Sequence, residues 1–312
     1  MSDQEKIESL AKQHGLILNG YGFYEVRDKP SLDELAKFYG EEYYQTAQGS
    51  YELEYGEPEL NYLRAKIRQR FQYHSSKVPL KASTGRLLDV GCGEGHALAY
   101  YRSQGWDVRG LDFSVAGCER MNPDCLPFLT QGDIYHNLEA LIVGGDRFDV
   151  IVLDNVLEHV LDPLGLMKKL LEVLSETGVL IVDVPNDFSK VQMAALEAGY
   201  VDDPFWISVP AHLSYFNPSG LENLAKSAGF APVGLLGDFP VDIYLLNPNS
   251  NYWGNVNEGV NGVSRGRAAH DARILIENQL DQSDDGGVNR MFEAMGRVGL
   301  GRCIAGFFVP AG

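Results

Sequence analysis

The run Arg86-Leu87-Leu88-Asp89-Val90-Gly91-Cys92-Gly93-Glu94-Gly95-His96-Ala97-Leu98 decides the fold. Leu87, Leu88 and Val90 read as a short buried strand. Three alternating glycines follow, and helical apolar spacing resumes after them. Glycine turns tightly and lets the backbone approach a ligand with no Cβ in the way. Strand, glycine turn and helix, in that order, open the nucleotide-binding half of a doubly wound α/β sheet. The spacing then narrows the ligand. A dinucleotide fingerprint needs glycine at position 96, where His96 stands, and Asp89 lies two residues before the first glycine. A carboxylate there is unfavourable beside a pyrophosphate and favourable beside a cation.

Three further stretches follow in order. Val108-Arg109-Gly110-Leu111-Asp112-Phe113-Ser114 reads as a second strand ending in an acid, which can accept two ribose hydroxyls. Gln131-Gly132-Asp133-Ile134 is a turn before a helix, and Phe148 to Val160 is a buried strand running into a helix start. Together with the glycine run, these resemble the motifs of class I S-adenosylmethionine (SAM) methyltransferases. The resemblance implies SAM as cofactor and S-adenosylhomocysteine (SAH) as product. It implies a cofactor wall of Asp89, Gly91, Gly93, Gly95, Asp112, Phe113, Asp133, Ile134, Asp154 and Asn155. Asp133 would take the adenine amine and Ile134 would pack the ring.

Composition bounds the rest. The chain has 312 residues, 45 % of them hydrophobic, enough for one large α/β unit and a substantial addition. No apolar run reaches bilayer-spanning length, and Met1-Ser2-Asp3-Gln4-Glu5-Lys6 carries no signal-peptide pattern. The four cysteines form no CxxC pair, so reduced thiols and a cytoplasmic location are expected. A formal charge of −17 disfavours a phosphate backbone as partner, so nucleic acid is not expected. The basic run Arg64 to Arg70 reads as a solvated helix face, with docking of an anionic substrate as the alternative.

Strands are expected at 86–90, 107–111, 126–130, 148–153 and 178–184, then at 230–236 and near 302–310, with helices between. The fold class is therefore α/β: a doubly wound, seven-stranded, Rossmann-like sheet with an N-terminal helical cover. Residues 1–84 form that tyrosine-rich cover, 85–236 the SAM-binding unit, 237–300 a helical cap between strands six and seven, and 301–312 the last strand. Ser31 to Tyr39 carries a serine cap and helical spacing. The tyrosines beyond it either cover a ligand or pack the segment onto the sheet.

The segments Leu157 to Pro163, Val184 to Asp187 and Ala211 to Pro218 resemble a methyltransferase subgroup of bacterial surface-polysaccharide and unusual-sugar biosynthesis. That resemblance implies a small-molecule acceptor, a sugar or nucleotide-sugar methylated on a hydroxyl or amine. A quinone- or polyketide-like metabolite is the alternative acceptor, and a SAM-binding protein without turnover is the alternative class. A hydroxyl needs a general base. His212, in the aromatic loop, is the first candidate, either as base or as structural hydrogen-bonder, and His159 the second. Tyr43, Tyr44, Tyr215 and Asn186 are candidates for touching the acceptor. Asp154, Asn155, Asn186 and Asp187 offer hard oxygen ligands, but strand-end capping accounts for them and no metal is expected.

Overall fold

The computed structural model describes residues 2–31, 34, 55–78, 84–253, 264–281 and 286–312. Tyr43, Tyr44 and nearly all of the helix expected from Ser31 lie outside these residues. The chain begins with α1 (Asp3–Gln13), held by a Ser2–Glu5 capping box, and a hairpin of β1 (Leu16–Leu18) and β2 (Tyr24–Val26). The long helix α2 (Glu57–Lys77) leads to β3 (Arg86–Val90), α3 (His96–Ser103), β4 (Asp107–Asp112), α4 (Ala116–Met121) and β5 (Leu129–Gln131). Then come α5 (Ile134–Gly144), β6 (Phe148–Asp154), α6 (Pro163–Val173), β7 (Leu174–Pro185) and α7 (Lys190–Glu197). The last part holds β8 (Ser214–Tyr215), α8 (Pro218–Ser227), β9 (Phe230–Gly237), α9 (Arg265–Leu280), α10 (Gly287–Arg297) and β10 (Cys303–Pro310).

Seven strands form one sheet in the order β5-β4-β3-β6-β7-β10-β9. The first five are parallel, and β10 runs antiparallel between β7 and β9. Strand alternation puts successive side chains on opposite faces. Leu88, Ile151, Leu153, Leu180 and Val182 therefore pack under α5, α6 and α8. Leu87, Val150, Val152, Val179, Ile181 and Phe307 pack on the other face, under α2, α3 and α10. With both faces covered, the central strands read as continuous apolar runs, which is why the sequence showed them so plainly.

Three features depart from the sequence reading. The third strand is shorter and later than 126–130: Pro123–Phe128 forms a 3₁₀ turn, and only Leu129–Gln131 pairs with β4. Pro123 and Pro127 have no N–H to give a ladder. The N-terminal segment is not purely helical, because β1 and β2 join β8 in a second, three-stranded sheet. Its strands span two or three residues, too short to show a period of two. Behind it, Tyr24, Phe188, Trp206, Leu213 and Tyr215 form one buried cluster that holds the aromatic loop at residues 202–218. Finally, the basic face of α2 is not all solvated. The side chains of Lys66 and Arg70 are 14 % and 13 % exposed.

The roof is polar and tightly seated. Along the α2–α9 seam, Arg267 meets Glu59 at 3.0 Å, Lys66 meets Glu277 at 3.8 Å, Arg68 pairs with Asp281, and Asn278 donates to the Pro58 carbonyl. Helix α10 lies against β9 through two glycines: a Cβ on Gly237 would stand 2.3 Å from the Leu300 carbonyl oxygen, and one on Gly296 would stand 2.7 Å from the Gly237 nitrogen. Among the described residues, no helix is long and apolar enough to cross a membrane.

Candidate active site

A cavity of about 1400 Å³ opens at the carboxyl ends of β3, β4, β6 and β7, where open α/β sheets bind ligands. Its floor is the glycine loop. Gly91 has φ +74°, and a Cβ there would stand 2.3 Å from Val156 Cγ2, so only glycine serves. Asp112, at the end of β4, accepts the Gly93 N–H at 2.7 Å on one oxygen and the Ser114 N–H at 2.8 Å on the other. These bonds hold the carboxylate in place and leave lone pairs for a diol. Burial raises Asp112 above the ordinary carboxylate range against the pull of those N–H groups.

Asp89 is buried at 3 % exposure and faces the same cavity. Burial pushes it up to about 8; the charges of Asp154 and Asp112 add to this and Arg70 opposes it. An ammonium or sulfonium beside it reverses that cost, so the residue suits the cationic end of SAM. Phe113 is 56 % exposed on the cavity wall. Asp133 caps α5 by accepting the His136 N–H at 2.8 Å, and it lines the wall with Ile134. Asp154 and Asn155 line it too, although Asp154 Oδ2 accepts from Arg70 at 2.5 Å and Asp154 Oδ1 accepts from Asn155 Nδ2 at 2.8 Å. Gly95 is at the N-cap of α3 and off the wall, with its missing Cβ aimed at Cys118. Of the cofactor residues expected from sequence, all but Gly95 meet in one cavity.

The other half of the cavity contains both expected histidines. His159 Nδ1 donates to the Ala211 carbonyl at 2.7 Å, which leaves Nε2 as the lone-pair nitrogen. Its ring meets that of His212 edge to face, with centroids 4.9 Å apart. Burial keeps both imidazoles neutral, His212 down to about 3 with help from His159 and Arg302, and His159 below its ordinary value. Glu158, which sequence reasoning passed over, completes the group. One ligand atom from each of Glu158, His159 and His212 lies within 4.8 Å of the others. Two neutral imidazoles and a carboxylate, with the His159 ring oriented by a backbone carbonyl, are a donor set that can hold a divalent cation. Glu158 Oε2 and His212 Nδ1 are buried with no hydrogen-bond partner.

Two expected acceptor contacts are elsewhere. The Tyr215 hydroxyl donates to the His212 carbonyl and accepts the Ser208 N–H, so it shapes the loop rather than the wall. Asn186 Nδ2 donates to the carbonyls of Gly299 and Gly301, tying β7 to the turn before β10. Asp187 is buried off the wall, 4.0 Å from Arg302, so the oxygen set considered at the strand ends is not assembled in the cavity. The wall instead carries Lys66, Arg70, Asp183, Asp238, His270, Arg273 and Arg302, drawn from α2, β7, the cap and the turn before β10. Only the basic run of α2 carried a signal for any of them.

A glycine floor, an acid at the end of the second strand and a buried acid beneath the cavity, on a sheet of this order, define a SAM-dependent methyltransferase. The family model described as "Methyltransferase domain" matches residues 60–235, more than half of the chain, and the chain belongs to that family. It is 31 % identical over 202 residues to the ubiquinone biosynthesis O-methyltransferase of Cereibacter sphaeroides, covering 62 % of this chain and 76 % of the relative. The protein of the same description from Psychrobacter arcticus is 24 % identical over 242 residues, covering 75 % of this chain and 92 % of the relative. Among solved structures, the plantazolicin methyltransferase BpumL, in complex with a monoazolic desmethylPZN analog and SAH, superposes with TM-score 0.50 at 15 % identity, covering 99 % of both chains. At that identity the likeness is one of fold.

Proposed function

We propose that this methyltransferase acts on a hydroxyl oxygen of a small ring-bearing acceptor of the phenol or quinol kind. The observation that carries the reading is the Glu158–His159–His212 cluster, which faces the same cavity as the SAM residues. The names of the relatives, O-methyltransferases of ubiquinone biosynthesis, support oxygen as the receiving atom and a quinone precursor as the acceptor class. Bound SAM supplies an electrophilic methyl, and transfer is an in-line displacement. The chain's own residues then have two tasks. Asp89, Asp112 and the glycine loop fix the donor, and the cluster fixes and deprotonates the hydroxyl. His159 Nε2 is the nitrogen placed to take that proton, its tautomer set by the Ala211 carbonyl. Helix α9 covers the acceptor end through His270 and Arg273, which gives this part of residues 237–300 the role of a cap, while α10 packs on the sheet.

A nucleotide-sugar is the second reading, favoured by the charged acceptor half, where Lys66, Arg70, Arg273 and Arg302 line the wall. The absence of a spanning helix among the described residues is consistent with work in the cytoplasm. The test is turnover of labelled SAM with paired acceptors: a catechol and its O-methylated form, and a nucleotide-sugar. Methylation of the catechol hydroxyl supports the first reading. Transfer to the nucleotide-sugar alone replaces it with the second. Transfer to nitrogen or carbon only removes the oxygen reading.

A further inference from the structure

Four Lys or Arg side chains line the cavity among the described residues. Three have a carboxylate within 4.0 Å: Lys66 has Glu277, Arg70 has Asp154 and Asp183, and Arg302 has Asp187 and Asp242. Arg273 has none. Its guanidinium lies over the Tyr62 ring, 5.1 Å from the centroid, and Nη2 donates to His270 Nδ1 at 2.6 Å. That bond makes Nδ1 the unprotonated nitrogen, so the other face of His270 turns its N–H toward Glu59, 3.4 Å away. The Arg273 Nε–H is buried and has no hydrogen-bond partner. A largely buried guanidinium with an unused donor and no carboxylate within 4.0 Å, its charge met only at longer range by Asp238 and Glu277, has room for a direct partner, and its planar fork suits a bidentate anion. Stacking on Tyr62 fixes the plane of that fork before any ligand arrives.

We propose that Arg273, projected from the cap helix α9 into the cavity, is the anchor for an anionic group on the acceptor, so that the acceptor is a carboxylate- or phosphate-bearing molecule. The proposal rests on the methyl-transfer reading of the cavity and names the chemistry of its substrate. Arg302, whose Nη1 is also buried without a hydrogen bond, faces the same cavity from the turn before β10. In a cavity also lined by Glu59, Asp183 and Asp238, Arg273 is the lining cation, among the described residues, without a carboxylate in ion-pair contact. Placing the anchor on the cap also separates recognition from chemistry: Arg273 holds the acceptor's anion, and the histidine cluster meets its hydroxyl.

The test is calorimetric titration of the full chain saturated with SAH, using two probe pairs, catechol against 3,4-dihydroxybenzoate and glucose against UDP-glucose. The anionic member of at least one pair is expected to bind about tenfold or more tightly than its neutral partner. R273Q should erase that preference, and R273K should keep part of it. SAH affinity of both variants should stay at the wild-type value and their unfolding should remain one cooperative transition, which shows that the fold is intact. A preference confined to the benzoate assigns a carboxylate, and one confined to UDP-glucose assigns a phosphate. Equal binding within both pairs, or a preference that survives R273Q, overturns the anchor. Arg273-dependent binding without transfer to any oxygen would leave the anchor standing and remove the oxygen reading instead.

Discussion

His159 and His212 meet edge to face at 4.9 Å, and the carbonyl that orients His159 belongs to Ala211, the residue immediately before His212. One short segment of the aromatic loop thus supplies one imidazole and steers the other. Replacing His212 with alanine should lower kcat by about 10²-fold or more, while SAH affinity, set on the far side of the cavity, stays unchanged. Single-turnover kinetics beside calorimetry would measure both. Parallel loss of SAH binding would show that His212 only supports the site's shape.

The same cluster sets an expectation about metal. Because His159 Nε2 is both the proposed proton acceptor and a donor of the Glu158–His159–His212 set, added Zn²⁺ should lower turnover by occupying that nitrogen, and a chelator should restore it. In E158Q the inhibition by Zn²⁺ should weaken. Turnover that falls on dialysis against a strong chelator and returns with Mn²⁺ or Zn²⁺ would assign the cluster to a metal and remove His159 as the base.

Asp89 gives a pH signature. Its carboxyl is raised from an ordinary 3.8 to about 8 in the folded chain. A raised carboxylate contributes stability that is full below the unfolded value and is lost as pH climbs to the folded one, so this contribution falls from 3.8 upward and is gone above about 8. A cationic ligand prefers the ionised form. SAM binding should therefore take a proton off the protein below pH 8, and affinity should climb with pH until about 8 and then level. Calorimetry in buffers of different ionisation enthalpy reads the proton directly. D89N should bind SAM more weakly and flatten the profile.

Gly91 is the sharpest steric test. Alanine there meets Val156 Cγ2 at 2.3 Å and must hold φ near +74°. G91A is expected to cost roughly 1–3 kcal/mol of stability and to weaken SAM binding, seen as a lower thermal midpoint and a smaller shift on adding SAM. A midpoint at the wild-type value would mean that the loop relaxes at no cost.

The SAM half was legible because each part is local. The glycine run, the acid ending β4 and the turn before α5 are contiguous stretches whose chemistry survives without knowledge of their neighbours. The acceptor half was not. Arg70 and Lys66 look like a solvated face until Asp183, Asp154 and Glu277, far away in sequence, are brought against them. Arg273 and Arg302 are single arginines in polar segments, with nothing local to mark them as inward-facing. Glu158 was readable in principle, since an acid directly precedes His159, but its partner His212 arrives through tertiary bonds on either side of it, Leu213 N–H to the Glu158 carbonyl and His159 to the Ala211 carbonyl. Tyr215 and Asn186 misled for the opposite reason: both spend their polar groups on backbone, Tyr215 on its own loop and Asn186 on the distant turn before β10.

The position of β10 bears on how the molecule is born. This strand pairs Cys303 with Pro185 and Phe308 with Leu180, filling the gap between β7 and β9, yet it is made after every other strand of the sheet. While the ribosome is still translating α9 and α10, β7 presents an apolar edge with open hydrogen-bonding groups, a template for wrong partners. Pro185 and Cys303, paired across β7 and β10, both line the cavity, so its wall is complete only with β10 in place. Seating this one eight-residue strand therefore completes the site and covers the β7 edge together.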